Sequence, residues 1–265
     1  MGQHTPNAAD QKIIRAGSHT WREAAVIGLK SKAKQQTAEF LQGYLTCDTT
    51  QLDKARAQPM ALCNVKGRVV ANGWLIDPSA ASTPTAVEAD LCLVVHASLG
   101  ESTVEFLTPY ARFSRCSVTL ETAARLRICA PSAGIRLADT VSLDLGTPHT
   151  TADMRDASPL MRRLLVAQEW VWIEQATHAQ YLPHNIGLVA AGAVDFDKGC
   201  YLGQEIVARV EFRGKVKREI GEFSWQTAPP AVGEQLKTGA TVVMVAHDAD
   251  AKSTQVPSGS GLAVN

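Results

Sequence analysis

The eight residues from Lys198 to Glu205, with the sequence KGCYLGQE, are the part of this chain best suited to chemistry. They place a thiol, an ammonium, a phenol, an amide and a carboxylate around two glycines, which let backbone approach a ligand closely. Cys200 is expected on a turn beside Lys198, whose charge favours the thiolate that attacks electrophiles, exchanges disulfides and binds soft metals. The motif indicates redox or metal-related chemistry. The alternative is an inert cysteine that packs as a small apolar side chain.

Composition indicates a soluble protein without a strong global field. The 265 residues are 45% hydrophobic, enough for one large core or several smaller ones. There are 26 basic and 26 acidic residues, so no net charge draws the chain to nucleic acid, and strong nucleic-acid binding is not expected. No apolar run approaches the roughly 20 residues that cross a bilayer, so no membrane association is expected.

The spacing of the cysteines and histidines predicts neither a metal site nor a disulfide framework. Six cysteines are scattered without a CxxC pair, and the seven histidines do not pair at metal-ligand spacing. Nothing at the N-terminus resembles a secretory signal peptide. We therefore expect no tightly bound metal and a reducing compartment, the cytoplasm.

Apolar periodicity predicts an α+β protein. We expect a hairpin over residues 60–76 with its turn at Lys66-Gly67, and helices over 33–45 and 98–110. Further strands are expected over 24–29, 90–96, 117–120 and 125–129. Because helices and strands are mixed along the chain, the elements indicate packed α+β layers.

The second half of the chain is less regular. Residues 131–158 lack sustained periodicity and are expected to connect two lobes. Apolar spacing predicts a helix over 160–177, with Trp170 and Trp172 serving packing rather than a ligand. Residues 219–265 read as short β segments of a small barrel or sheet.

Three segments together resemble the folate-binding YgfZ family, which shares its fold with the T-protein (aminomethyltransferase) of the glycine cleavage system. They are AEFLQGYLTCD at 38–48, NVKGRVVANGWLI at 64–76, and residues 181–218, which include the family's KGCYxGQE core. Their order and spacing agree with the family. The resemblance covers most of residues 24–225.

The resemblance implies an aminomethyltransferase-like folate-binding fold, in which small α+β domains form a ring around tetrahydrofolate and a β-barrel-like domain follows. In this chain, residues 24–130 and 181–218 would form the folate-binding region, and residues 131–180 a connection and helical segment. Residues 1–23 would be a flexible N-terminal segment. Residues 219–265 would be a C-terminal β domain shorter than the family's.

The resemblance also assigns site residues. It makes Cys200 the functional thiol, and it places the following residues around the thiol or in the folate cavity: Lys198, Tyr201, Gln204, Glu205, Arg209, Lys66, Arg68 and Asp48. From the residues alone, Lys66 and Arg68 are equally compatible with a polar hairpin turn, and Asp48 with the cap of a following turn.

Two further features bear on a folate ligand. Four cations, Arg213, Lys215, Lys217 and Arg218, either attract a polyglutamate tail or form a solvated basic face. The helix-end glycine pattern that supplies a folate-contacting acid in typical members is absent here. Glu169 or Glu174 would replace that acid, and the sequence does not choose between them.

Three functions follow. The first, implied by the resemblance, is a folate-dependent accessory protein for iron-sulfur cluster assembly or repair. Its partners would be iron-sulfur client proteins or assembly factors and, indirectly, tRNA-modifying enzymes. The second is an aminomethyltransferase that passes a one-carbon unit to tetrahydrofolate, although a shared fold does not carry function. The third is a binding module for tRNA or a tRNA-modifying enzyme.

Overall fold

A computed structural model describes residues 8–16, 19–81, 85, 87–132, 134–146, 155–248 and 258–265. The helices in these residues are α1 (Ala8–Ala16), α2 (Lys34–Gln42), α3 (Gly100–Phe113), α4 (Ser158–Ala167) and α5 (Gln204–Arg213). The strands are β1 (His19–Thr20), β2 (Ala24–Lys30), β3 (Gln58–Cys63), β4 (Val69–Ile76), β5 (Leu91–His96), β6 (Ser117–Leu120), β7 (Arg125–Cys129), β8 (Ile135–Ala138), β9 (Val141–Gly146), β10 (Arg155–Asp156), β11 (Ile220–Gln226), β12 (Thr241–His247) and β13 (Ser258–Val264). The mixed α+β class is as predicted.

An antiparallel sheet with the order β3-β4-β5-β2-β6 carries the first part of the core. Every residue of β4 and β5 is buried. Both strands are near-continuous apolar runs, and such runs are typical of strands that are covered on both faces. Helices α2 and α3 pack against this sheet. The hairpin of β3 and β4, with Gly67 at a φ of 69° in its turn, is as predicted.

A second sheet has the order β10-β1-β7-β9-β8, and a third, antiparallel sheet has the order β11-β13-β12. Helix α4 packs against β12, so the C-terminal sheet is attached to the rest of the molecule through this helix. Residues 219–265 thus contain the small sheet that their Gly- and Pro-separated β segments predict. Within the described ranges, no helix is long and apolar enough to cross a membrane.

The sequence-based prediction needs correction in two segments outside the first sheet. The first 23 residues, expected to be flexible, include α1 and β1, and they bury Ile14 and Trp21 in the core. The connection expected over residues 131–158 contains β8 and β9, which pair with each other, and β9 also pairs with β7. Residues 147–154 of that connection lie outside the described residues. Short strands between Gly and Asp residues give too little periodicity to be recognised.

The helix expected over residues 160–177 ends at Ala167. Glu169 has a φ of 52°, which ends the helical path, and residues 170–173 are buried outside any helix or strand. Asn72 of β4 holds this segment: its side chain donates to Val171 O over 2.8 Å and accepts from Ile173 N over 2.8 Å. Trp170 and Trp172 lie in the core, as predicted, in a cluster with Trp21 and Trp74.

Candidate functional site

Lys198 anchors the KGCYLGQE loop to the segment that follows α2. Its ammonium donates to the carbonyl oxygens of Gln42, Leu45 and Cys47 over 2.8, 2.7 and 2.7 Å, and the residue is only 8% exposed. Burial lowers the pKa of Lys198, although nearby acidic groups oppose this effect. Because three carbonyls occupy its three N–H groups, the geometry gives Lys198 a positioning role.

Tyr201 forms the second anchor of this loop. Lys198 Nζ lies 5.4 Å from the centre of its ring, within the range of a cation–π contact. The residue is buried, and its hydroxyl has no hydrogen-bond partner in the described part of the chain. Burial raises the pKa of the phenol, so Tyr201 stays protonated at neutral pH. The unpaired hydroxyl is a group that a bound ligand or an ordered water would satisfy.

Gly203 forms the third anchor, where α5 begins against the β3–β4 turn. Its φ is 84°, and an added Cβ would lie 2.4 Å from the carbonyl oxygen of Asn64. The turn itself is closed by Asn64, whose side-chain oxygen accepts from Lys66 N over 2.9 Å and Arg68 N over 3.1 Å. The β3–β4 turn, called the KGR turn after its residues 66–68, is therefore brought to the KGCYLGQE loop by backbone contact.

Cys200 differs from the five other cysteines in its exposure. The thiol of Cys200 is exposed, whereas Cys47, Cys63, Cys92, Cys116 and Cys129 are buried. Burial raises the pKa of Cys47 and of Cys63 to about 12, so these thiols stay protonated at neutral pH. Gly199 beside it is also exposed, with no atom within 4 Å of the position a Cβ would take. The chain thus presents a single accessible thiol on an anchored loop.

Asp48 caps the short 3₁₀ turn at 49–51, the role that its position before a turn predicts. Its carboxylate accepts from Thr50 N over 2.9 Å and from Gln42 Nε2 over 3.0 Å. Burial opposes ionisation, but the hydrogen bonds from Thr50 and Gln42 hold the pKa of Asp48 below its ordinary value. The carboxylate therefore stabilises the same 42–48 segment that Lys198 binds.

An open cleft of about 690 Å³ lies between the β3–β4 turn and the C-terminal sheet. Three cations line it, Lys66, Arg68 and Arg218, together with Gln180 and the largely buried Tyr181. Arg68 Nη1 donates to the backbone oxygen of Gln180, which fixes that guanidinium on the wall. Tyr181 and Gln180 were not predicted as site residues, because their place beside the turn depends on contacts more than 100 residues apart.

The remaining predicted residues lie along and beyond α5. Gln204 is half-buried at its first position, while Glu205 and Arg209 are exposed on its surface and do not line the cleft. Arg213, Lys215 and Lys217 are exposed as well. Only Arg218 of the four basic residues that follow Glu211 reaches the cleft.

The two acids offered as folate contacts have different surroundings. Glu174 is half-buried and forms an ion pair with Arg162 over 3.5 Å. It also lies 3.5 Å from His96, which is neutral at pH 7 because burial lowers its pKa to about 4. Arg162 also donates to both carboxylate oxygens of Glu23, over 2.9 and 2.7 Å. Glu169 is exposed at the end of α4. Glu174 therefore belongs to a charge network that the sequence did not reveal, because its members are far apart in the chain.

Among the residues that the structure describes, no group of three or more His, Cys, Asp or Glu side chains is arranged to hold a metal ion. The cleft suits an anionic organic ligand better. Its three cations match carboxylates.

Comparisons with known proteins concern the whole chain rather than the site. No family model matches the chain. It is 28% identical over 239 residues to the tRNA-modifying protein YgfZ of Sodalis glossinidius, covering 76% of this chain and 70% of that protein. It is 25% identical over 240 residues to the tRNA-modifying protein YgfZ of Vibrio atlanticus, covering 82% and 71%.

A solved structure shows the fold. Glycine cleavage system aminomethyltransferase T from Bartonella henselae matches 96% of this chain and 80% of its own, with a TM-score of 0.60 at 14% identity. At that identity the likeness concerns the fold alone. The comparisons therefore confirm the resemblance of this chain to the YgfZ family, and its fold is that of the glycine cleavage T-protein.

Proposed function

We propose that this protein is a tetrahydrofolate-binding accessory protein for iron-sulfur cluster assembly or repair, with Cys200 as its functional thiol. The observation that carries the proposal is the contrast among the six free cysteines: Cys200 is exposed on an anchored loop, and the other five are buried. Free thiols favour a reducing compartment, so we place the protein in the cytoplasm. The relatives' name connects them with tRNA modification, so clients that modify tRNA fit this role.

Cys200 acts with a partner in this proposal. Stable iron-sulfur ligation ordinarily takes four protein ligands, and the buried cysteines do not offer their thiolates at the surface. The partner therefore supplies the remaining ligands, and this chain contributes one thiol. The anchors at Lys198, Tyr201 and Gly203 hold that thiol in place, which lowers the entropy lost when the partner binds.

Tetrahydrofolate fits the cleft by its chemistry. Lys66, Arg68 and Arg218 would hold the carboxylates of the glutamate tail. When bound, the folate supplies a reduced pterin that carries one-carbon units. For Lys198 and Asp48 we propose positioning roles, since both are engaged by the 42–50 segment. Gln204, Glu205 and Arg209 stay predictions as folate contacts.

The cleft predicts a dependence of folate affinity on tail length. Calorimetric titration should show tighter binding of tetrahydrofolate pentaglutamate than of the monoglutamate. The Lys66→Ala, Arg218→Ala double variant should have an affinity for the pentaglutamate about fivefold to tenfold lower at low salt, because two exposed ion pairs are lost. The affinity for the monoglutamate should fall by a smaller factor.

Two controls define this titration. Lys32→Ala removes an exposed cation outside the cleft and should change neither affinity. Cys200→Ser should bind both folates normally, since the thiol and the folate act separately in the proposal. Equal affinities for the two tail lengths, or no binding by the native chain, would remove the folate part of the proposed function.

The thiol is tested separately in cells that lack the native protein. Cys200→Ser should leave the activity and cluster content of an iron-sulfur tRNA-modifying enzyme at the level of the empty strain. The matched control is Cys63→Ala, because Cys63 is buried in β3 and its pKa is raised. Full rescue by Cys200→Ser would contradict the role of the thiol. Labelling of the purified protein with a thiol reagent should modify one cysteine in the native state, and none in Cys200→Ser.

A second candidate function is aminomethyl transfer, which the T-protein fold favours. A shared fold supplies the ligand cavity without fixing the chemistry. Transfer of a methylene group from an aminomethylated carrier protein to tetrahydrofolate, measured with the purified chain, would place this activity first.

A further inference from the structure

We propose that the exposed side of α5 and the segment after it bind an unpaired nucleic-acid strand, with the Phe212 ring stacking on a base and the flanking cations binding phosphates. The juxtaposition is an exposed aromatic ring set between arginines on one side of a helix. The proposal does not depend on the Cys200 thiol, and only its far end reaches the cleft that we assign to folate.

Three side chains form the stripe on α5. Arg209, Phe212 and Arg213 stand at positions i, i+3 and i+4, which share one side of a helix. Arg209 and Arg213 are exposed, and Phe212 is 70% exposed. The exposed ring therefore offers a flat aromatic face on which a planar ligand can stack.

The ring is held in place from below. Phe212 contacts the ring of Phe196 edge-on, with 5.6 Å between the centroids and 73° between the planes. Phe196 is half-buried and lies in turn 6.3 Å from the ring of His184. This support fixes the orientation of Phe212 and leaves its outer side open, so little conformational entropy is lost on stacking.

The charge around the ring is mainly positive. Residues 209–218 carry five cations and one acid, Glu211. The carboxylate of Glu211 lies 3.2 Å from His184 Nε2, and because burial lowers the pKa of His184, Glu211 keeps its negative charge beside a neutral ring at pH 7. Glu205, four residues before Arg209, lies exposed on the same side of α5 and partly offsets the charge of the stripe. The five cations outnumber Glu205 and Glu211, which leaves a local positive field in a chain of zero net charge.

The cations continue past the end of the helix. Gly214 ends α5 in an extended conformation, with φ of −102° and ψ of 179°. Lys215 and Lys217 follow, both exposed, and then Arg218, which lines the cleft with Lys66 and Arg68. The positive surface thus runs from the stripe to the cleft. Proteins that bind single strands use such a continuous positive surface to follow the phosphate backbone.

A nucleic-acid strand matches this surface better than an acidic protein segment. Carboxylates would satisfy the cations but offer no planar ring to Phe212, whereas every unpaired base has a stacking face. A duplex hides its base faces and would meet only the cations. Zero net charge predicts that binding is modest and sensitive to salt, in agreement with the expectation of no strong nucleic-acid affinity.

The test is fluorescence anisotropy with labelled oligo(U) and oligo(dT) of about 12 nucleotides, a length within the site sizes of such grooves. Phe212→Ala should weaken binding about fivefold or more while leaving the salt dependence unchanged, because stacking carries no charge. The Arg213→Ala, Lys215→Ala double variant should reduce the slope of log K against log salt by about 1.4, the value for two lost phosphate contacts on a single strand. Phe212→Trp should restore binding. Either preference supports the site. Tighter binding of oligo(U) indicates RNA as the natural strand, and tighter binding of oligo(dT) indicates DNA.

The matched control is Phe113→Ala, at the end of α3, where the ring is 91% exposed away from the stripe. Its affinity should equal that of the native chain. An equal loss in Phe113→Ala and Phe212→Ala, or no binding at low salt, would overturn the proposal. So would binding of poly-L-glutamate that matches oligo(U) and is unaffected by Phe212→Ala, because the surface would then suit an acidic protein. Circular dichroism of each variant checks that the fold is kept.

Discussion

Lys198→Met is expected to lower the free energy of unfolding by about 3–5 kcal/mol, since it removes three hydrogen bonds to a charged donor and leaves buried carbonyls unpaired. The ammonium of Lys198 binds the oxygens of Gln42, Leu45 and Cys47, which no longer have this donor in the variant. Methionine has a similar length and is apolar, so the loss reflects the hydrogen bonds rather than a cavity. Urea unfolding followed by tryptophan fluorescence measures the change.

The control for this variant is Lys66→Met, which makes the same chemical change at an exposed turn. It should alter the free energy of unfolding by less than about 0.5 kcal/mol, as surface substitutions usually do. The free energy of unfolding of Lys198→Arg should lie between those of the two methionine variants. Arginine keeps the charge, but its planar head group fits three converging carbonyls poorly. A Lys198→Met protein as stable as the Lys66→Met protein would show that these carbonyls do not depend on the ammonium.

Lys198 also shows where sequence reasoning stops. From the sequence, its charge is expected beside the thiol of Cys200, two residues away. In the structure its ammonium binds carbonyls of residues 151 to 156 positions earlier in the chain. Local spacing identifies a polar motif but not which group each side chain meets, because those partners depend on tertiary packing.

The elements that the sequence predicts well are those with strong local signals. The β3–β4 hairpin has apolar runs on both sides of a Lys-Gly turn, and β6 and β7 were expected at the positions where they occur. The segment after α4 was missed for the opposite reason. Its residues 170–173 are apolar enough for a helix, but the side chain of Asn72, about 100 residues earlier, binds backbone groups of Val171 and Ile173 instead.

The candidate site was predictable in its residue types and only partly in its arrangement. The motif singles out Cys200, but the sequence alone does not show that the other five cysteines are buried. Likewise, Lys66 and Arg68 were expected from the KGR turn, whereas their meeting with Arg218 and Tyr181 in one cleft follows from the packing of the C-terminal sheet. Burial and convergence are properties of the folded chain.

Gly203→Ala is expected to be the most damaging single-methyl change in the site, with a loss of about 3–5 kcal/mol in the free energy of unfolding. Two effects add. A left-handed φ of 84° costs a non-glycine residue about 1–2 kcal/mol. The new methyl would also lie 2.4 Å from Asn64 O and 3.1 Å from Gly67 Cα, and both are backbone atoms that cannot turn aside.

Gly192→Ala separates these two effects. Gly192 has a φ of 74°, close to that of Gly203, but no atom lies within 4 Å of the added methyl. Its loss should be only the conformational part, about 1 kcal/mol, measured by urea unfolding under the same conditions. The difference between the two variants is then the contact between the KGCYLGQE loop and the KGR turn. Because that contact fixes the start of α5, Gly203→Ala should also change the rate at which a thiol reagent labels Cys200, and Gly192→Ala should not. Equal losses in both variants would mean that the turn yields to the methyl, and the loop carrying Cys200 would then be less firmly anchored than its three contacts indicate.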